Sequence, residues 1–343
     1  MAIFRLQNGT IIGDYLRPYI VAEVNSSHNG DIAVAKEMVR KAKEIGCDCV
    51  KFQSWSADTL YSKDYYDENR MVKRIVKKLS LSEEQLLELA EFCKEQEIDF
   101  TSTPYSKEEV KFLVEKCKVP YIKVASMELN HSTFLNYIAG FGIPIVLSTG
   151  MGNIAEIKKA IEVIVATGNE NICILHCVSV YPAEPNLINL NNMITLREVF
   201  PDYPIGYSDH TLGSEVASAA VALGASMIEK HFTLDHAKPG MDNQMATEPD
   251  EMLKLVNSCH NVFHAMGSKE RILSENDMQQ RNKMRRSVIA ARDLKIGDIL
   301  CQEDLTAKRP GTGIPVDQLE GLIGRKIIRD IGGDEMIFNN DLL

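Results

Sequence analysis

From residue 19 to residue 267, short β-branched runs alternate with stretches that repeat apolar residues at helical spacing. No other feature limits the fold of this chain as much. "YIVAEV" (19–24) leads to "IAVAKEMVRKAKEIG" (32–46). "CDCVKFQS" (47–54) leads to "SLSEEQLLELAEFCKEQ", which opens on a capping box of Ser82 with Gln85. The exchange runs on to "SMIEKHFT" and the helix "EPDEMLKLVNSCHNVFHAMG". Eight strand–helix units in strict order predict parallel strands joined by helical crossovers. That length suits an α/β fold of the (β/α)8 TIM-barrel type, typically about 250 residues. A doubly wound open sheet is the alternative, disfavoured because no Gly-rich dinucleotide fingerprint follows the first strand. The pattern stops at Gly267. Residues 268–284 are charged and read as a linker with some helix, and residues 285–343 read as a small β-rich domain with Gly turns. The expected organisation is therefore a barrel over 1–267, a linker over 268–284 and a small domain over 285–343.

Charge and composition exclude several classes. The net charge is −10 with both signs interspersed, which gives no basis for nucleic-acid or anionic-membrane binding. The first twenty residues lack the pattern of a signal peptide or a membrane span. The eight cysteines follow no disulfide framework or zinc-knuckle spacing, so buried free thiols in a reducing cytoplasm are expected.

A barrel of this type carries its active site at the C-terminal strand ends. Polar residues fall at all eight of those ends. Strand one ends in Glu23. Strand two carries Lys51 and Gln53, whose spacing of two places them on one face. Thr101, Ser102 and Thr103 end strand three; Lys123, Ser126 and then Glu128 follow on strand four; Ser148 ends strand five. His176 lies on strand six with Tyr181 in its loop. Ser208, Asp209 and His210 end strand seven, and Glu229 and His231 lie on strand eight. Lys51 and Lys123 are expected on opposite sides of the ring, facing inward. Two buried lysines without anionic partners would cost several kcal/mol each, on the order of magnitude usual for a buried ion. An anionic ligand is the natural partner, with Ser and Thr hydroxyls completing a phosphate or carboxylate cradle. Glu23, Glu128 and Asp209 have a second reading, as mere ion-pair partners of the lysines.

A single strand histidine is usually a satisfied structural residue. His210 and His231, however, end neighbouring parallel strands about 4.8 Å apart and can reach a common ion. Two imidazoles with open positions suit a divalent metal such as Mn²⁺; a purely structural role for both remains the competing reading. His28, His131, His236, His260 and His264, and Trp55 beside Gln53, read as packing residues.

Taken in order, "AEVNSSHNGD", "VKFQS", "TSTPY", "IKVASMELN", "LSTGM", "LHCVSVYP", "GYSDHT", "IEKHFTLD" and "KRPGTG" resemble the sialic acid (nonulosonic acid) synthase family over nearly the whole chain. The resemblance implies a TIM barrel joined to a C-terminal antifreeze-like SAF domain. It implies condensation of phosphoenolpyruvate with an N-acetylamino sugar to a nine-carbon acid plus phosphate. His210 and His231 match the ligands of a divalent metal, usually Mn²⁺, with Mg²⁺ or Co²⁺ as substitutes. Lys51, Thr103, Lys123, Ser126, Ser148 and Ser208 match the phosphoenolpyruvate cradle, and Glu23 the acid beside the reacting carbons. Gln53, Glu128, Tyr181, Asp242 and Arg309 match groups near the sugar. Arg309 is expected to come from the second subunit of a domain-swapped homodimer. Two departures, "KFQS" for the common "KHQT" and "NSSHNG" for "GxNHNG", lie on the sugar side and bear on which sugar is used. N-acetylmannosamine, 2,4-diacetamido-2,4,6-trideoxymannose and its altrose isomer are the candidates; "RPGTG" favours the first two, and the two departures the diacetamido sugar. The rival readings are a phosphoenolpyruvate-dependent synthase of seven- or eight-carbon sugar acids, and a non-catalytic sugar- or anion-binding scaffold.

Overall fold

Strand β1 (Tyr19–Asn25) begins a sheet of eight parallel strands in the computed structural model, which describes residues 2–238 and 240–343. It is followed by β2 (Cys49–Ser54), β3 (Asp99–Pro104), β4 (Ile122–Val124), β5 (Ile145–Ser148), β6 (Ile172–Cys177), β7 (Ile205–Asp209) and β8 (Met227–His231). The spatial order is β3-β2-β1-β8-β7-β6-β5-β4, so first and last strands pair and the sheet curls into a nearly closed barrel. No ladder joins β3 to β4, but Thr101 Oγ1 donates to the Tyr121 carbonyl across that seam at 2.8 Å. Helices cross between successive strands, as the alternation predicts. The capping box of Ser82 and Gln85 starts the helix Glu83–Glu95, and Gly46, at φ +93°, ends the helix Ile32–Ile45.

Alternating side chains divide the core in two. Ile20, Ala22, Val50, Ile174, Ile205 and Ile228 face outward and pack with the helices. Val21, Cys49, Tyr121, Val146, Leu175 and Met227 face inward, where Phe4, Leu6 and Ile12 join them. Those last three belong to a short hairpin, Ile3–Arg5 with Ile11–Gly13, which plugs the N-terminal end of the barrel. Strands of three residues are too short to show periodicity, so the hairpin is not visible in the sequence pattern. The segment between β2 and Ser82 also holds unforeseen helices, Lys63–Glu68 and Arg70–Leu79, which cover Trp55.

The turn after β1 is held by a glycine and a histidine. Gly30 has φ +74°, and a Cβ there would lie 2.0 Å from the Lys78 carbonyl oxygen, so only glycine fits. His28 is buried and accepts the Gly30 N–H on Nδ1 at 3.0 Å. Burial pushes its pKa down to about 4, against the opposing pull of the Asn25 carbonyl and Asp31. The unfolded chain therefore binds a proton that the folded chain refuses between its ordinary value near 6.5 and about 4. Stability from this neutral imidazole is complete above pH 6.5 and falls on acidification through that window, by about 3 kcal/mol in full. The acid-side slope of Tm against pH should flatten in His28→Gln; an unchanged slope would exclude His28 as its source.

The chain divides into two units, Met1–Gly267 and Ser268–Leu343. The second pairs β9 (Ser287–Ala290) with β10 (Leu305–Lys308) antiparallel and surrounds them with isolated bridges and 3-10 turns. Val288, Leu294, Leu300, Ile327 and Ile337 form its small core. The stretch read as linker contains a helix, Glu275–Met284, opened by a capping box of Ser274 with Asp277 and burying no residue. Among the described residues, no helix is long and apolar enough to cross a membrane.

Candidate active site

The inward face of the barrel changes character toward the C-terminal strand ends. Above the apolar layer stand Glu23 on β1, Lys51 on β2, Lys123 on β4, Ser148 on β5, Ser208 on β7 and Glu229 on β8, all buried. They line the floor of a cavity of about 390 Å³ that also takes in Gln53, Thr103, Ser126, Tyr181, His210, His231 and Asp242. Register explains the convergence: Glu23 pairs with Lys51 and with His231 on either side, and Ser208 pairs with Glu229. A bulge follows Glu23, and Asn25 takes a left-handed conformation at φ +46°. Asn25 Nδ2 then donates to Asp242, fixing the β8 loop to the end of β1.

Electrostatics at the floor centre on Glu229. Its carboxylate lies 3.4 Å from Lys123 Nζ and 3.6 Å from Lys51 Nζ, and it accepts from Ser208 Oγ at 3.0 Å. Lys51 also pairs with Glu23 and donates to Thr103 Oγ1 at 3.2 Å; Lys123 donates to Ser148 Oγ at 2.7 Å. The lysines are thus not on opposite sides of the ring, as expected. Only β3 separates their strands, and one carboxylate spans them. Nor do they wait for a ligand as their sole partner, since the Glu229 carboxylate lies against both and the Glu23 carboxyl against Lys51.

The two acids are driven apart. Burial raises both, but Lys123 and Lys51 overcome it at Glu229 and bring its pKa down to about 2. At Glu23 burial prevails over Lys51, and the charge of Glu229 adds to it, so this carboxyl is raised. One acid stays ionised while its neighbour can carry a proton, the separation of roles used in general acid–base sites. Burial lowers Lys123 despite Glu229, whereas Glu229 and Glu23 overcome burial and raise Lys51.

His210 and His231 meet at the rim, ring centroids 5.4 Å apart, with the Tyr181 ring tilted by 39° against His210 at 4.2 Å. His210 Nδ1 lies 2.7 Å from the Val178 carbonyl, which fixes the tautomer and leaves Nε2 toward the cavity. Burial first, then His210 and Lys51, hold His231 well below its ordinary pKa, so that ring is neutral and able to ligate. The donor set therefore fits a borderline divalent ion with open positions. Among the described residues no group of three His, Cys, Asp or Glu side chains gathers in metal-binding geometry.

Several residues lie elsewhere than the sequence pattern suggests. His176 faces the helices, stacked on Tyr207 and bonded to the Ile188 carbonyl at 2.7 Å; the inward residue of β6 is Cys177. Asp209 likewise faces outward and pairs with Lys230, not with the cavity lysines. Glu128 does not line the cavity: its carboxylate takes His131 Nδ1 at 2.7 Å. Gln53 is committed to protein partners, donating to Glu23 at 3.0 Å and accepting from Trp55 Nε1 and Tyr105 Oη. Arg309 is exposed and belongs to the second unit. Cys177 and Tyr105 escape the sequence reading; counting alternate residues back from Cys177 through Leu175 and Cys173 would have turned the thiol inward.

The model of the NeuB family matches residues 38–271, and that of the SAF domain matches residues 285–343. The chain is 38% identical over 328 residues to N,N'-diacetyllegionaminic acid synthase of Legionella pneumophila, covering 92% of each. It is 35% identical over 338 residues to human N-acetylneuraminate-9-phosphate synthase, covering 96% of this chain and 94% of that one. Among solved structures, N-acetylneuraminic acid synthetase from Leptospira borgpetersenii superposes with a TM-score of 0.74 at 29% identity, covering 81% of this chain and 96% of that one.

Proposed function

This chain belongs to the NeuB family and is a phosphoenolpyruvate-dependent nonulosonate synthase, and we propose that its sugar is 2,4-diacetamido-2,4,6-trideoxymannose. The cavity rim carries that reading. Leu60, Tyr61, Met127, Met151 and Met241 line it, and its only lysines, Lys51 and Lys123, sit at the floor among carboxylates; no arginine lines it among the described residues. A sugar phosphate would need a cation at the rim, whereas a 6-deoxy sugar with two acetyl groups offers methyls to these side chains. N-acetylmannosamine is the second reading, since it too needs no rim cation.

Lys51 and Lys123, with Thr103, Ser126, Ser148 and Ser208, bind the carboxylate and phosphate of phosphoenolpyruvate. Its C3 carbon forms the new bond to the sugar's aldehyde carbon, whose oxygen takes up a proton from solvent to become a hydroxyl, and C2 becomes cationic. Water adds to C2 and Glu23 takes the proton that this water loses; the C2–O bond to phosphate then breaks as the remaining hydroxyl proton passes to the departing phosphate oxygen, which leaves a keto group. Glu229, held ionised, steadies the cationic centre and keeps the lysines placed. A divalent ion on His210 and His231, Mn²⁺ or in its place Mg²⁺ or Co²⁺, would polarise the aldehyde oxygen. Gln53 orients Glu23, while Tyr181 and Asp242 border the sugar. Arg309 reaches the sugar's N-acetyl end from the second subunit of a domain-swapped homodimer.

Phosphate release with each of the three candidate sugars tests the substrate. The expected kcat/KM for the diacetamido sugar exceeds that for N-acetylmannosamine by tenfold or more; the reverse order would move the assignment to N-acetylmannosamine. Arg309→Ala should raise the KM for sugar far more than that for phosphoenolpyruvate. Equal changes would count against the role given to Arg309.

A further inference from the structure

Behind the two cavity imidazoles, on the helix-facing side of the sheet, lies a buried ion pair that the chemistry above does not use. Asp209 and Lys230 are 0% and 1% exposed, and they are register partners on β7 and β8. Lys230 Nζ donates to Asp209 Oδ2 at 2.7 Å and to the Thr211 carbonyl. Asp209 Oδ1 accepts the Thr211 N–H at 2.9 Å, the Thr211 hydroxyl at 2.8 Å and the Tyr207 hydroxyl at 3.0 Å. Both carboxylate oxygens are satisfied and no solvent reaches the pair.

Stability alone explains this arrangement poorly. Burying two ions costs several kcal/mol each, on the order usual for such groups, and apolar replacements are often neutral or better. Location explains it: Asp209 precedes His210 in the chain, and Lys230 precedes His231. The ladder between β7 and β8 includes residues 209 and 230 but not residue 210. Past that point the carboxylate holds the N–H of Thr211 and the ammonium holds its carbonyl, so His210 is bracketed on both sides. The anchor for that bracket is the strand that carries His231. We propose that Asp209 and Lys230 are positioning residues that set the separation of the His210 and His231 imidazoles and thereby the affinity of the site for a divalent ion. Thr211 is the element they grip. The inference rests on the reading that these imidazoles hold such an ion.

Titration of the full-length protein with Mn²⁺, following the EPR signal of the free ion, tests it without turnover. Lys230→Met should weaken Mn²⁺ binding at least tenfold, and Thr211→Val severalfold. Phosphoenolpyruvate affinity without metal should stay within about twofold, a split that general loosening of the barrel would not produce. If Lys230→Met does not fold, Thr211→Val, which removes one hydroxyl donor, decides. Folded variants that bind Mn²⁺ within twofold of the unaltered protein overturn the inference alone. An unaltered protein that binds no Mn²⁺, or whose binding survives His210→Ala, overturns the metal reading and the inference with it.

Discussion

Replacing His210 and His231 together by alanine is expected to lower turnover by about 10³-fold or more, equivalent to about 4 kcal/mol of transition-state stabilisation. The rings are 5.4 Å apart and open on the cavity. Their loss removes both nitrogen donors while leaving Lys51, Lys123 and Glu229 on the floor. Phosphoenolpyruvate binding should therefore change much less than kcat, and added Mn²⁺ should not rescue the variant. Because the rings border a cavity rather than the packed core, the far-UV spectrum and cooperative unfolding should persist. Phosphate release near the unaltered rate would mean that the two histidines take no part in turnover. A merely structural role for the two histidines would show as lost folding.

Lys123→Met should weaken phosphoenolpyruvate binding about 100-fold, roughly 2.7 kcal/mol for one lost charge-assisted contact in a buried site. It also takes from Glu229 the nearer of its two ammonium partners, 3.4 Å away, and the two lysines are what bring its pKa down to about 2 against burial. Removing one partner of a buried pair costs about 3–5 kcal/mol of stability. These two losses separate in a second variant. Lys123→Met with Glu229→Gln removes the carboxylate left short of a partner, so Tm should recover substantially while phosphoenolpyruvate affinity does not. Recovery of both together would mean that Lys123 serves Glu229 and not the ligand. Calorimetric binding and thermal unfolding on the two variants provide the comparison.

Periodicity carries far in this chain because a parallel barrel repeats one local rule eight times. The strands at 19–25, 49–54, 99–104, 205–209 and 227–231 stand where β-branched runs meet turn residues. The i, i+2 spacing of Lys51 and Gln53 did place both inside. What the pattern hides is direction and distance. "SDH" at 208–210 offers three polar residues in a row, yet alternation sends Ser208 and His210 inward and Asp209 outward to Lys230. The same rule separates His176 from Cys177. Glu229 is plain in the sequence, but its hold on both lysines depends on barrel closure, which brings β2, β4 and β8 to one centre. Local residues could not show that both lysines already have carboxyl partners before any ligand arrives. The N-terminal plug was hidden for a related reason, since its strands are short and their value lies in contacts with Tyr121 and Tyr19.

Crystals of the protein soaked with Mn²⁺ and phosphoenolpyruvate, with data collected at the manganese edge, address the central claim most directly. One anomalous peak should lie within coordination distance of nitrogens from both His210 and His231. The phosphate and carboxylate of phosphoenolpyruvate should lie within hydrogen-bond reach of Lys51 and Lys123. A manganese peak away from this pair, or phosphoenolpyruvate bound with neither ammonium touching it, would contradict the account.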